Sequence, residues 1–208
     1  KCAGSALLAH PERLAAIIRT AVSATGLPVT AKLRAGIASP AHLRELVSAC
    51  AESGVAAVTL HARLRIHGYH EPATWSWLAE AADALRRCAR PVPLIGNGSV
   101  DTPAHIAQMR AETGVDAVMV GRAALADPFI FRVAAGGLAA TAAEAAAWAV
   151  GYLRALGSGG PKAKMLVRWY RAGGLFDGRE ELRRTLLRGP EADISTWFAA
   201  QSEAASIV

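Results

Sequence analysis

Cysteine is scarce in this chain and long apolar runs are absent, and the two shortages exclude several classes of protein at once. The cysteines, Cys2, Cys50 and Cys88, are odd in number and far apart, so there is neither a disulfide framework nor the paired spacing of a zinc site, and no metal is expected. Cys50 falls among the apolar positions of a helical pattern and reads as core. No apolar stretch approaches membrane-spanning length and nothing has the build of a secretory signal, so a cytoplasmic protein with no membrane partner is expected. Charged residues are 19% of the 208 and hydrophobic ones 52%, enough for a sizeable core. An initiator methionine is missing too, and the chain, opening on Lys1 without a recognisable cap, reads as starting inside a domain.

What is present is an alternation of strand and helix. Pro11 to Thr25 carries Leu14, Ile17, Ile18, Ala21 and Val22 on one helical face and stops at Gly26; a strand follows at Val29 to Leu33. Ser39-Pro40 caps a helix with Leu43, Leu46, Val47 and Cys50 at helical spacing as far as Gly54, before a strand from Ala56 to Leu60 that ends at His61. A long polar loop, Ala62 to Thr74, leads to a helix from Trp75 to Arg87. The strand Val92 to Ile95 then breaks into the turn Gly96-Asn97-Gly98-Ser99, and Thr102 caps a helix from Pro103 to Thr113 that closes at Gly114. The strand Ala117 to Val120 is closed by Gly121-Arg122, and a short helical turn begins at Ala123. Segments of this length between strands allow the crossover helices of a parallel sheet.

Such a sheet is either doubly wound or part of an eightfold barrel. Lys32, His61, Asn97 and Gly121-Arg122 fall at the carboxyl ends of successive strands, as a barrel requires, whereas a doubly wound sheet gathers its ligand groups at one switch point. Two consecutive glycine turns suit the phosphate site that barrels place after their seventh and eighth strands. The expected fold is therefore α/β, the second half of a TIM (β/α)8 barrel in residues 1–135, with the first four strands upstream of Lys1. Each rim residue also has a plain structural reading: Lys32 as a solvated strand end, His61 as a core histidine, Asn97 as a turn residue. Their convergence on one rim instead suits a flat phosphorylated cofactor such as FMN.

After Phe131 the composition changes. Gly136-Gly137 marks a boundary, Thr141 caps an alanine-rich helix to about Leu156, and residues 157–161 read as a flexible joint within a small helical domain, 141–208. From Lys162 to Arg188 there are eight Lys or Arg against three acids, an excess close to the whole chain's net +6. On a helix Lys164, Arg168 and Arg171 share one face and Leu166, Trp169 and Tyr170 lie opposite. A solvated basic face and a surface for a phosphate backbone both fit.

Several strings together resemble the second half of a tRNA-dihydrouridine synthase: KCAGSALL at the start, VTAKLR at Val29 to Arg34, VTLHARLRIHGY at Val58 to Tyr69, PLIGNGSV at Pro93 to Val100 and DAVMVGRAALADPFIF at Asp116 to Phe131. The resemblance implies an FMN barrel followed by a tRNA-gripping helical domain, with NADPH as the reductant that turns a tRNA uridine into dihydrouridine. By motif, it implies flavin contacts at Lys32 and His61 and phosphate contacts at Asn97, Gly98, Ser99, Gly121 and Arg122. It also implies RNA contacts at Arg34, Arg63, Lys164, Arg168 and Arg171. KAKMLVRWYRAGG is most similar to the branch acting on uridine 16 of the D-loop. The family's proton-donating cysteine sits in an Asn-x-Gly-Cys-Pro segment expected upstream of Lys1, and Cys2 stands where relatives place a small residue. No catalytic residue is thus expected within the chain, which alone should be inactive. Two other readings stay open: a different phosphate-binding or FMN-dependent barrel, and a non-catalytic RNA-binding remnant.

Overall fold

A computed structural model describes residues 4–68, 70–157 and 161–203. Cys2, Tyr69, most of the expected joint and the last residues of the tail lie outside the described residues. The chain divides into two compact units, Lys1–Gly121 and Arg122–Val208.

In the first unit a 3-10 turn, Gly4–Ala9, precedes α1 (Pro11–Ala24), β1 (Thr30–Gly36), α2 (Leu43–Glu52), β2 (Ala57–Leu64), α3 (Ser76–Arg86), β3 (Leu94–Asn97), α4 (Pro103–Thr113) and β4 (Ala117–Met119). The strands form one sheet in the order β1-β2-β3-β4, every pair parallel. Strand order following chain order without reversal is how a barrel wall is built; a doubly wound sheet would turn back on itself at a switch point.

Register sorts the side chains. Lys32 pairs with Thr59, Arg34 with His61, His61 with Asn97, and Asn97 with Met119. Partners in a ladder share a face and neighbours along a strand alternate, so these polar residues lie on one side of the sheet. On the other side stand Ala31, Leu33 and Ala35, then Val58, Leu60, Ala62 and Leu64, then Leu94, all buried with Leu43, Leu46 and Val47 of α2, Leu78 of α3 and Met109 of α4. Burying each such Leu or Val contributes about 1.5–3 kcal/mol, which fixes which face of the sheet is left for chemistry.

The strand ends differ from expectation, and β1 runs from Thr30 on to Gly36, beyond the expected end at Leu33. β2 runs on to Leu64, so His61 and Arg63 lie within a strand and not beyond its end. β3 starts at Leu94 and takes in Gly96 and Asn97, which the sequence alone places in a turn. Ladders on both sides, to β2 and to β4, outweigh the poor strand preference of Gly and Asn. Gly96 is also a packing position, since a Cβ there would lie 2.8 Å from the Met109 sulfur. α2 starts at Leu43 and not at Pro40, because the Ser39 hydroxyl accepts from the Ala41 N–H (3.2 Å) and holds a turn instead of capping the helix. α4 has the expected bounds, with Thr102 accepting from the His105 N–H and Gly114 left-handed at φ 67.

The second unit is helical among its described residues: α5 (Arg122–Ala126), α6 (Ile130–Ala134), α7 (Ala142–Leu156), α8 (Pro161–Trp169), a 3-10 turn at Ala172–Gly174, α9 (Glu180–Arg188) and α10 (Glu191–Glu203). Gly136-Gly137, the expected boundary, lies inside this unit. Thr141 and Glu144 form a complete capping box at the start of α7. Ala145, Ala149, Leu166, Val167, Tyr170, Phe176, Ile194 and Phe198 form its core. The Tyr170 hydroxyl donates to the Ala145 carbonyl at 2.7 Å, which satisfies the one polar group of that fully buried ring.

Candidate functional site

The polar face of the sheet ends in a tightly tied turn. After Asn97 the chain enters Gly98 at φ 120 and Ser99 at φ 53, the one non-glycine residue with positive φ among those described. A left-handed serine costs about 1–2 kcal/mol unless its surroundings hold it, and here they do. The Ser99 hydroxyl oxygen accepts from Arg63 Nη2 (3.1 Å) and from the Ala73 N–H (2.9 Å), while Trp75 Nε1 donates to the Gly98 carbonyl (3.0 Å). Gly98 has no room for a side chain, because a Cβ would stand 2.7 Å from Ala73 Cβ and 3.1 Å from His61 Cδ2. On the opposite side Asn97 Nδ2 donates to the Met119 carbonyl at 2.8 Å, tying the end of β3 to the end of β4.

Arg63 organises this region from within. It is only 4% exposed, and besides its bond to Ser99 it donates from Nε to the Glu71 carbonyl (2.7 Å) and from Nη1 to His61 Nε2 (3.0 Å). A guanidinium has no acceptor, so His61 Nε2 accepts and the ring's proton belongs on Nδ1. Arg34 Nη1 donates to the Leu64 carbonyl at 2.8 Å, holding the end of β2. Both arginines, expected among the RNA contacts, are thus engaged with the rim's own backbone and side chains. Lys32 is exposed on the same face, in register with Thr59. At Gly121, its own atoms and its chain neighbours aside, no heavy atom of the described residues lies within 4 Å of where a Cβ would stand, and its φ is outside the left-handed range. Its own fold makes no demand for glycine there. Arg122 follows directly as the first residue of α5 and of the second unit.

Sequence reasoning missed Ala73 and Trp75, which close over the turn from the loop after β2. Nothing near them in sequence signals that role, since Trp75 reads as the start of a helix.

The basic segment also sorts differently from expectation. α8 ends at Trp169, so Arg171 lies past the helix, where its Nη1 donates to the Arg168 (3.3 Å) and Tyr170 (3.1 Å) carbonyls. Arg183 is 7% exposed, donates to the Tyr170 carbonyl at 3.3 Å and lies 4.6 Å from the Phe176 ring centre; burial lowers its pKa. Two of the eight cations therefore serve the carbonyl end of α8, where positive charge is favoured. Arg168 is exposed and Lys164 half-buried. Trp169, expected on the apolar face, is 47% exposed, because Ala163, Leu166, Val167 and Tyr170 already fill the buried arc.

Among the described residues no group of three or more His, Cys, Asp or Glu could hold a metal ion, and no helix is long and apolar enough to cross a membrane.

Comparison with known proteins fits this arrangement. The chain is similar to the tRNA-dihydrouridine(16) synthase of Ralstonia nicotianae, 44% identical over 130 residues, or 61% of this chain and 38% of that protein. It is similar to the tRNA-dihydrouridine(16) synthase of Pseudomonas putida, 36% identical over 127 residues (60% and 38%). It is also similar to tRNA-dihydrouridine synthase B of Xanthomonas axonopodis pv. citri, 38% identical over 130 residues (62% and 38%). The matched stretch spans about two fifths of the length of these relatives. The family profile for dihydrouridine synthase (Dus) matches residues 1–188, nearly the whole chain, and the protein belongs to the dihydrouridine synthase family.

Proposed function

We propose that this chain forms the carboxyl-terminal half of the FMN-binding barrel and the helical tRNA-binding domain of a cytoplasmic tRNA-dihydrouridine synthase. The whole enzyme, of which this chain is a part, reduces a D-loop uridine, at position 16, with electrons from NADPH. The observation that carries this reading is the single polar sheet face, where His61 and Asn97 stand in register with Arg34, and Lys32 lies on the same face two residues earlier, beside a turn held in a left-handed conformation by Arg63 and Ala73.

The residues suit the flavin by their chemistry. Lys32 brings a positive charge on a flexible stem, His61 an imidazole held in one tautomer, and Gly98 a backbone without a Cβ beside that ring. Asn97, Gly98, Ser99 and Gly121 are the proposed phosphate group, with Gly121 open enough for close approach, and Arg122 joins them by its motif. A bound, reduced flavin would supply the hydride for the uracil ring. The chain's own part is to orient that flavin and to keep the His61 ring in one tautomer through Arg63.

The similarity to two tRNA-dihydrouridine(16) synthases supports this choice of substrate and position, and the KAKMLVRWYR segment supports the same branch. The test is an FMN titration of the full-length protein, followed by flavin fluorescence. Lys32→Ala should weaken FMN by about 1.5–3 kcal/mol, the scale of a hydrogen bond to a charged group. Unchanged affinity in that variant, or no flavin bound by the parent, counts against the assignment.

A further inference from the structure

The second unit has an apolar groove facing solvent. Met165 and Trp169, one turn apart on α8, are 50% and 47% exposed, and they line the groove with Leu125 of α5 and Trp148 and Tyr152 of α7. Its floor is already a stack of rings. Trp148 lies 5.3 Å from Tyr152 and 5.8 Å from Tyr170, within 9° and 12° of parallel. The buried hydroxyl of Tyr170, bonded to Ala145, fixes the inner end of that stack.

Charge decides what fits. Between Glu144 and Asp177 the chain has no acidic residue, but it has Arg154, Lys162, Lys164, Arg168 and Arg171. Lys162 and Arg168 are exposed on α8 with Met165 and Trp169. An apolar ridge from another protein could fill the groove, but it would leave these cations unmatched. A single-stranded nucleic acid brings flat rings and phosphates together, and aromatic rings in a cationic groove are how such strands are held.

We propose that this groove is a stacking site for an unpaired base of RNA, with Trp169 as the platform and Lys162 and Arg168 attending the flanking phosphates. The proposal rests on the reading of the protein as a tRNA enzyme and adds a contact to a base face that backbone charge alone does not make.

The experiment titrates the full-length protein with a short oligouridylate and, separately, with tRNA transcript, following tryptophan fluorescence. Stacking should quench the parent's fluorescence. Trp169→Ala should remove most of that quench and weaken oligouridylate binding about 5- to 150-fold. The slope of affinity against salt should stay unchanged, because no phosphate contact is lost. Trp169→Phe should keep most of the affinity, and melting of both variants should match the parent because the side chain is half exposed. Equal affinity and equal quench in Trp169→Ala overturn the proposal, and if the parent still binds tRNA the enzyme reading survives. A parent that binds neither RNA overturns both. A change of oligomeric state in Trp169→Ala also overturns it, since the groove then belongs to a second copy of the chain.

Discussion

Ser99 gives the most exposed test of how the turn after β3 is held. Replacing it by Ala removes the one oxygen that accepts from both Arg63 Nη2 and the Ala73 N–H, at 3.1 and 2.9 Å, and keeps the left-handed backbone. A donor left without its acceptor costs about 1–3 kcal/mol, and more when charged. Arg63 is buried but keeps its bonds to the Glu71 carbonyl and His61, and Ala73 is half-buried, so the sum is about 2–3 kcal/mol and not the full double penalty. Replacing Ser99 by Gly loses the same oxygen but relieves φ 53, which returns about 1 kcal/mol. The expected order is therefore parent, then Gly, then Ala. Urea unfolding reads it through Trp75, whose indole donates to the neighbouring Gly98 carbonyl. In a chain of this length the Ala variant should melt about 4–12 °C lower. An Ala variant within about 0.5 kcal/mol of the parent, or a Gly variant less stable than Ala, would refute the reasoning.

The other expectations follow from the same geometry. Gly98→Ala should destabilise by about 2–4 kcal/mol, from the contact with Ala73 and the positive φ, whereas Gly121→Ala should leave urea unfolding unchanged and weaken only FMN; equal effects in both assays would refute the distinction. Glu144 has its pKa lowered to about 2 from 4.5, mainly by the Arg132 hydrogen bond and then by the Thr141 N–H. A lowered folded-state pKa means that the capping box is fully supported above about 4.5 and loses that support as pH falls through about 2. Protection factors at the start of α7, taken relative to intrinsic exchange at each pH, should fall across that window, and Glu144→Gln should flatten the response. Burial pushes the Cys50 thiol up to about 12, so alkylation at about pH 8 should spare it in the folded protein and label it in urea; native labelling would contradict the packing of α2.

Much of the first unit is legible in the sequence because local signals agree with the tertiary structure. Thr102-Pro103 and Gly114 mark α4 to the residue, and the spacing of Leu43, Leu46, Val47 and Cys50 is enough to show the buried face of α2. The strand ends depart from expectation where pairing on both sides carries Gly96 and Asn97 into β3, an effect that no window along one strand contains. The sequence shows the rim residues but not their mutual arrangement. Arg63 and Ser99 are 36 positions apart, and only the register of β2 on β3 brings them within 3.1 Å. Likewise the basic segment is visible as charge, while the assignment of Arg171 and Arg183 to the carbonyl end of α8 depends on where that helix stops.

The proposed activity is tested most directly by supplying the full-length protein with FMN, NADPH and an unmodified tRNA transcript and mapping reduced uridines by mass spectrometry. The expected result is one uridine, position 16 of the D-loop, gaining the mass of two hydrogens, with Lys32→Ala slowing the gain. A flavin-loaded protein that binds the tRNA and leaves every uridine unreduced would contradict it, and reduction at a different uridine would retain the chemistry while overturning the assigned position.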